Sequence, residues 1–359
     1  MPANPRTEPA LMDVLRHVQF AALDLLRCAQ GQALGTIGFD PAERPFQILA
    51  SGPHWRLRDY GSVGAEASLL IVAAPIKRPY IWDLAPTASA IRYCLDHGLH
   101  VYLTEWIPPT PTSGHVGFDE CTQAISECVV RISGEPNQKK PFLFGHSLGG
   151  TLAAIFSSCE PHSIRGLVLL GAPLCFQPAT SKFRDALVSM IPPDLAETTV
   201  VPGSLLSQAS AFASPQAFVW SRLVDAAASM NDQRALEVHA RVERWALDEA
   251  ALPGRLVRQI LEWLYRENRF CRGVLTVRGR AVGPSCLDLP ILAVVNMADE
   301  VAPLASIDPL LDALPTKDIS VIKYPGETGV ALQHLGILVG REAYASIWPN
   351  ILAWLAAHR

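Results

Sequence analysis

Six short runs rich in valine, isoleucine and leucine recur along the chain: SLLIVAAP (68–75), HVYLTEW (100–106), PFLFGHS (141–147), GLVLLGAP (166–173), LPILAVVN (289–296) and ISVIKYPG (319–326). Runs without polar alternation are the mark of strands buried on both faces, the environment of a parallel sheet. Between them lie stretches, about 83–97, 118–133, 148–159, 303–314 and 342–357, whose apolar residues recur at three- and four-residue spacing. That spacing gives helices with one apolar face. Parallel neighbours can be joined only by a crossover, so the alternation predicts an α/β fold with a mostly parallel central sheet and helices on both faces.

The alternation stops between roughly 175 and 288, where helical patterns at about 181–191, 215–229, 233–246 and 255–268 follow one another with no buried strand. This segment reads as a helical insertion over one edge of the sheet. Ahead of the first buried run come an amphipathic helix at about 8–30, a glycine-rich linker and a hairpin from FQILA (46–50) and WRLRDY (55–60). The organisation expected is an N-terminal helix and linker over 1–40, a core over 41–174 and 289–359, and a helical lid over 175–288. IPPTPTSG (107–114) reads as a short rigid surface loop.

Composition removes several classes of function. Lysine plus arginine is 30 and aspartate plus glutamate 34, a net charge of −4 with no block of five like charges, so nucleic acid is not an expected partner. Apolar residues make up 49% and charged residues 18%, which suits a sizeable core rather than disorder. No apolar run reaches the roughly 18 residues of a membrane span, and the start, MPANPRTEPALMDVL, lacks the basic-then-apolar order of a secretory signal. The eight cysteines, at 28, 94, 121, 128, 159, 175, 271 and 286, form no CxxC pair. They are expected to be reduced, buried small side chains in a cytoplasmic protein. Cys121 and Cys128, seven apart, could share a helix face, but no histidine pair joins them at ligand spacing, so neither a metal nor another resident cofactor is expected.

The sharpest chemical signal is Gly145-His146-Ser147-Leu148-Gly149, placed where a buried strand ends and the helix TLAAIF begins. This is the context of a nucleophile elbow, whose turn is so tight that only glycine fits beside it and whose serine hydroxyl is lifted clear of the sheet. The Leu148 N–H, at the helix N-terminus, is placed to face a developing oxyanion. With this elbow the expected architecture becomes the α/β-hydrolase fold. A second oxyanion donor is expected from the backbone after SLLIVAAP, around Ile76 and Lys77. Lys77 and Arg78 read either as charges that steer an anionic substrate or as solvated loop residues.

A serine hydroxyl needs a base, and in this architecture the chain order is serine, acid, histidine. Asp299 follows LPILAVVNMA at the carboxyl end of a strand, where ligands gather in open α/β sheets. His334 follows ISVIKYP in a loop before the last helix, with room for one helix and one strand between it and Asp299. The rival acids are Glu300, which faces away if Asp299 faces the site, and Asp308, inside the following helix. Of the other histidines, His146 is adjacent to the serine, His97 and His100 flank a strand start, and His17, His54, His115, His162, His239 and His358 lie outside the expected loop. His146, Tyr80 and Trp106 are candidates for substrate contact.

RPYIWDL (78–84), VYLTEW (101–106), PGSLL (202–206), VERW (242–245), LYRENRF (264–270), LPILAVVNMADEVAP (289–303) and HLGILVG (334–340) together resemble the polyhydroxyalkanoate synthase family, in the short form that pairs with a second subunit. The resemblance covers nearly the whole chain, and it too places the catalytic aspartate on Asp299 and the histidine on His334. Two features depart from the family pattern. The family's nucleophile is a cysteine in GxCxGG, where this chain has Ser147 in GHSLGG, and its PGGH is here the longer PGETGVALQH.

A thiolate exchanges readily with thioesters, whereas a serine ester is more stable toward thiols and needs base help at each step. Acyl transfer to one acceptor, or hydrolysis, therefore suits Ser147 better than repeated chain growth. The leading expectation is acyl transfer from an acyl or 3-hydroxyacyl thioester or ester through acyl-Ser147, with coenzyme A or a carrier protein as the thiol of the donor. The alternatives are a serine esterase, thioesterase or polyester depolymerase using water, and an inactive partner subunit. The resemblance also implies a protein partner, either a second subunit or a second copy of the chain.

Overall fold

Eight strands form one sheet in the computed structural model, which describes residues 7–61, 65, 67–110, 112–134, 139–191 and 200–359. They are β1 (Gln47–Ser51), β2 (Trp55–Asp59), β3 (Ala67–Val72), β4 (Leu99–Trp106), β5 (Phe142–His146), β6 (Leu167–Leu170), β7 (Ile291–Asn296) and β8 (Ile319–Tyr324). Their spatial order is β1-β2-β4-β3-β5-β6-β7-β8. The β1–β2 hairpin and its junction to β4 are antiparallel, and every pairing from β4 to β8 is parallel. All six runs are strands, and β3, β5, β6 and β7 are buried along their whole length, whereas β8, at the sheet edge, is buried only at Tyr324. Strand order reverses beside β3, with β4 on one side and β5 on the other, so the crevice of an open α/β sheet lies at the end of β5.

Helices α1 (Thr7–Leu34), α2 (Ala90–Asp96), α3 (Phe118–Ser133) and α4 (Leu148–Cys159) precede the insertion. Helices α5 (Lys182–Met190), α6 (Gly203–Ala213), α7 (Ser221–Ser229), α8 (Gln233–Leu247) and α9 (Gly254–Gln259) lie within it, and α10 (Asp308–Asp312), α11 (Gly336–Val339) and α12 (Trp348–Ala357) follow. One sheet face packs on α3 and α4 through residues such as Ile125 and Phe156. The other packs on α2, α11 and α12 through Ile91, Leu338 and Trp348, which gives the two-sided cover expected of a parallel sheet. The N-terminal helix lies along α6 and α8 of the insertion.

Three expectations need correction, and one lies partly outside the described residues. The stretch 83–97 is helical only from Ala90, because residues 83–85 and 88–89 form a small ribbon turning at Pro86. A proline removes a donor and keeps the residue before it out of the helical region, so α2 starts after it, capped by Ser89 Oγ accepting from the Arg92 N–H at 2.9 Å. The insertion is not free of strand: Leu275–Val277 pairs with Arg280–Val282, and Leu275 and Val277 are fully buried. The turn residues Arg278 and Gly279 both have positive φ, the geometry of a two-residue hairpin. Nor are all cysteines reduced, since Cys175, after β6, is disulfide-bonded to Cys271 in the insertion, 96 residues away. Cys121 and Cys128 are free and buried on α3, and burial pushes both thiols up to about 12. Pro111 of the expected rigid loop lies outside the described residues.

Candidate active site

The elbow is built by steric exclusion. A Cβ on Gly145 would fall 2.4 Å from the Gly150 Cα, and one on Gly149 would fall 2.2 Å from the Val72 carbonyl oxygen. Only glycine lets α4 start this close to β3 and β5. Ser147 sits at the junction with φ 54° and ψ −133°, a conformation costing about 1–3 kcal/mol that persists only where surrounding structure enforces it. Here the Ser147 N–H donates to the Leu170 carbonyl at 3.2 Å, tying the elbow to β6. The Leu148 N–H belongs to the first turn of α4 and has no carbonyl one turn back to bond.

Asp299 and His334 meet at the ends of β7 and β8. Asp299 Oδ2 lies 2.6 Å from His334 Nδ1, and its Oδ1 accepts from the N–H groups of Val301 at 2.8 Å and Ala302 at 3.2 Å. Burial opposes ionisation of Asp299, but the charge and hydrogen bond of His334, with those two N–H groups, outweigh it and hold the carboxyl below its ordinary range. An ionised carboxylate only accepts, so Nδ1 carries a proton that it donates to Asp299, and Nε2 is the ring nitrogen left over for other chemistry. Nε2 is buried and has no hydrogen-bond partner among the described residues, and His334 lines the same cavity as Ser147. Glu300, the rival acid, accepts from Ser214 Oγ at 3.2 Å, and Asp308 heads α10.

The histidine segment is hung from its neighbours by bonds that sequence patterns do not reveal. Asn296, the last residue of β7, donates Nδ2 to the Gln333 carbonyl at 2.6 Å and accepts from the Ala298 N–H at 2.9 Å. His146 Nε2 donates to the His334 carbonyl at 2.7 Å. Burial, with the nearby charge of His334, pushes His146 down to about 3, so it stays neutral and serves as a brace. The His146 ring also lines the cavity.

Two other candidates for substrate contact are placed differently by the structure. Tyr80 is buried outside the cavity lining, with its hydroxyl accepting from Arg244 Nη1 at 3.0 Å. Trp106 is also outside that lining and donates its indole N–H to the Ala73 carbonyl at 2.6 Å, bracing the loop after β3. The part of this loop nearest the elbow is Val72–Ala74, because the Ala74 nitrogen would lie 2.9 Å from a Gly149 Cβ. Ile76 and Lys77 line the cavity further along. The Lys77 ammonium is no free steering charge: it bonds Glu249 Oε2 and the Ala246 carbonyl, both at 2.7 Å. Glu249 also accepts from Arg27 at 2.8 Å and Ser207 at 3.0 Å, and Arg78 faces Asp248 at 3.5 Å. The charges beside the site are thus spent holding the N-terminal helix, the insertion and this loop together.

Above Ser147 the cavity encloses about 430 Å³, within the usual range for a small-molecule site. Ser147, Leu148 and His334 are among its lining residues, and the lining is largely apolar, with Phe183, Phe218 and Leu261 contributed by the insertion. An apolar chamber lined by a serine and a histidine suits an acyl chain bound next to a polar reacting centre.

The alpha/beta hydrolase fold family matches residues 84–324, and the chain belongs to it. Within that family the chain is polyhydroxyalkanoate synthase-like, in keeping with its motifs. It is 28% identical over 295 residues to the poly(3-hydroxyalkanoate) polymerase subunit PhaC of Haloferax mediterranei, covering 81% of this chain and 59% of that protein. It is 27% identical over 290 residues to the corresponding subunit of Allochromatium vinosum, covering 80% of each. The chain therefore spans about three fifths of the length of the Haloferax relative. Among solved structures, the monoacylglycerol lipase of Paleococcus ferrophilus superposes with a TM-score of 0.55 at 17% identity, covering 85% of this chain and 99% of that one, a likeness of fold.

Proposed function

We propose that the protein transfers acyl groups through a covalent ester on Ser147. The observation that carries this reading is that His334, held by Asp299 through Nδ1 and with a buried Nε2 that has no hydrogen-bond partner among the described residues, lines the same cavity as Ser147. Nε2 would accept the Ser147 proton as the oxygen attacks the thioester or ester carbonyl. The resulting oxyanion would meet the Leu148 N–H and a second N–H from the loop after β3, for which Ala74 is nearer the elbow than Ile76 or Lys77. Collapse breaks the bond to the leaving thiol or alcohol, which takes the proton back from His334. An acceptor hydroxyl then gives its proton to Nε2 and attacks the acyl carbonyl, and the bond to Ser147 Oγ breaks as Oγ takes that proton back from Nε2. Asp299 orients and stabilises the imidazolium throughout, and the insertion roofs the acyl chain.

The polymerase relatives support a 3-hydroxyacyl thioester as donor, with a hydroxyl of another 3-hydroxyacyl group as acceptor. Ser147 supports a second reading, in which water is the acceptor and the protein is a thioesterase or esterase, because an acyl-serine is well suited to hydrolysis. Intact-protein mass spectrometry after incubation with acyl and 3-hydroxyacyl coenzyme A thioesters, with Ser147→Ala alongside, tests both. A lasting mass increment lost in Ser147→Ala supports transfer to an awaited acceptor. Rapid release of coenzyme A without an adduct supports hydrolysis. Turnover undiminished in Ser147→Ala sinks both readings.

A further inference from the structure

The His334 segment has a third brace, and it comes from the insertion. Asp225, on α7, is buried, and its two carboxylate oxygens accept from the Gly329 N–H at 2.7 Å and the Ala331 N–H at 2.8 Å. His239, on α8, donates Nδ1 to the same carboxylate at 3.1 Å. Burial disfavours ionisation of Asp225, but the His239 bond and the two N–H groups outweigh it and hold the carboxyl below its ordinary range. Both residues it grips are in the left-handed region, Gly329 at φ +84° and Ala331 at φ +61°. For an alanine that conformation is unfavourable and needs an external hold.

The contact has reach in both directions. Ala331 lies three residues before His334, and the intervening Leu332 lines the cavity. On the other side, His239 Nε2 lies 3.7 Å from Glu243, which takes a two-pronged bond from Arg222, and Arg222 also lines the cavity. A continuous chain of polar contacts therefore runs from the cavity wall, through Arg222, Glu243, His239 and Asp225, to the backbone that carries His334.

We infer that Asp225 is a positioning residue for the acyl-transfer step: by gripping Gly329 and Ala331 it makes the placement of His334 depend on the seating of the insertion over the acyl cavity. This rests on the proposed roles of Ser147 and His334. A carboxylate that merely stabilised the insertion would give the same static contacts, so the test must read catalysis apart from folding.

The experiment measures kcat and KM for hydrolysis of a p-nitrophenyl acyl ester, with thermal unfolding of each variant. Asp225→Asn keeps one accepting oxygen but sets its NH2 where the other carboxylate oxygen accepted, against the Gly329 N–H or against those of Ala331 and His239, and should lower kcat about 30-fold with KM within threefold of wild type. Asp225→Asn combined with Ala331→Gly should recover at least a third of the lost kcat on a logarithmic scale, because glycine holds the left-handed turn unaided. His239→Phe, which keeps the ring's shape but removes the donor, should lower kcat three- to tenfold; it carries the test if Asp225→Asn does not fold. A folded Asp225→Asn with kcat within twofold of wild type overturns the inference, as does a loss that Ala331→Gly leaves untouched. If Asp225→Asn does not fold, a folded His239→Phe with unchanged kcat overturns it. Ser147→Ala and Asp299→Asn are run alongside. If they too leave the rate unchanged, the reading of the site itself has failed, whereas their inactivity beside a fully active Asp225→Asn condemns only the role of Asp225.

Discussion

The elbow under Ser147 and the loop that carries His334 fix their residues by opposite physical means. At the elbow the hold is steric and local: glycines at 145, 149 and 150 let backbone meet backbone, with β3 and β5 on either side. At the histidine loop the hold is polar and remote, through Asn296, His146 and Asp225, each from a different part of the chain. The difference teaches where each half of the site can fail. Atoms jammed against backbone have nowhere to go, so an error there costs the fold. Hydrogen-bonded braces can be removed one at a time, so an error there displaces a catalytic group and leaves the protein standing.

Gly149→Ala should have the largest effect, and on folding rather than on chemistry. Its Cβ would meet the Val72 oxygen at 2.2 Å and the Ala74 nitrogen at 2.9 Å, both main-chain atoms. Relief requires parting α4 from β3, and losses beyond about 4 kcal/mol belong to overpacking of this kind. Urea unfolding, or the absence of soluble folded protein, checks it. A variant within about 1 kcal/mol of wild type would mean the elbow is held by something softer than contact.

Asp299→Asn should be next, with the fold kept. The Val301 and Ala302 N–H groups still find Oδ1, but an amide cannot enforce the His334 tautomer, and the corresponding change in serine proteases costs about 10⁴ in kcat. Rate measurement on an activated ester checks this, and a loss below about tenfold would return Glu300 and Asp308 to consideration. The same variant reads out the pH dependence of stability. His334 and the two N–H groups depress the folded-state pKa of Asp299 despite its burial. Its stabilisation is therefore fully present above the unfolded value of about 3.9 and is lost as pH falls through the folded one. The stability gap between wild type and Asp299→Asn should narrow across that acid window and stay constant above about pH 5.

The same division explains what was legible in the sequence. Buried strands, the helices over 118–133 and 148–159, and the glycine-serine turn are written in contiguous residues, so their period and punctuation predict them. Asp299 and His334 follow from chain order, because each lies in the loop that follows a readable strand. The braces are pairings across distance: Asn296 to Gln333 spans 37 residues, Ala331 to Asp225 spans 106, and His146 to His334 spans 188. No local period encodes such partners. The ion pair of Lys77 is hidden for the same reason, since its carboxylate partner, Glu249, lies 172 residues away. The Leu275–Val282 hairpin carries only a weak sequence signal because its turn is Arg278-Gly279 rather than one of the stronger asparagine- or aspartate-glycine pairs.

Trp106→Phe should have the smallest effect and sharpens the comparison most, because it tests whether the steric half of the site also needs a polar brace. The loop after β3 is pressed against Gly149 on one side, yet its Ala73 carbonyl is held on the other by the Trp106 indole N–H at 2.6 Å. Phenylalanine retains an aromatic body and deletes that donor, leaving an acceptor on a residue only 2% exposed without its partner. A stranded buried acceptor costs about 1–3 kcal/mol, some of which the loop can recover by shifting. A shift there would move the N–H proposed as second oxyanion donor, so kcat should fall about three- to tenfold while KM changes less. If kcat is unchanged and only the melting temperature drops, contact with Gly149 alone sets the loop, and the elbow side of the site is steric throughout.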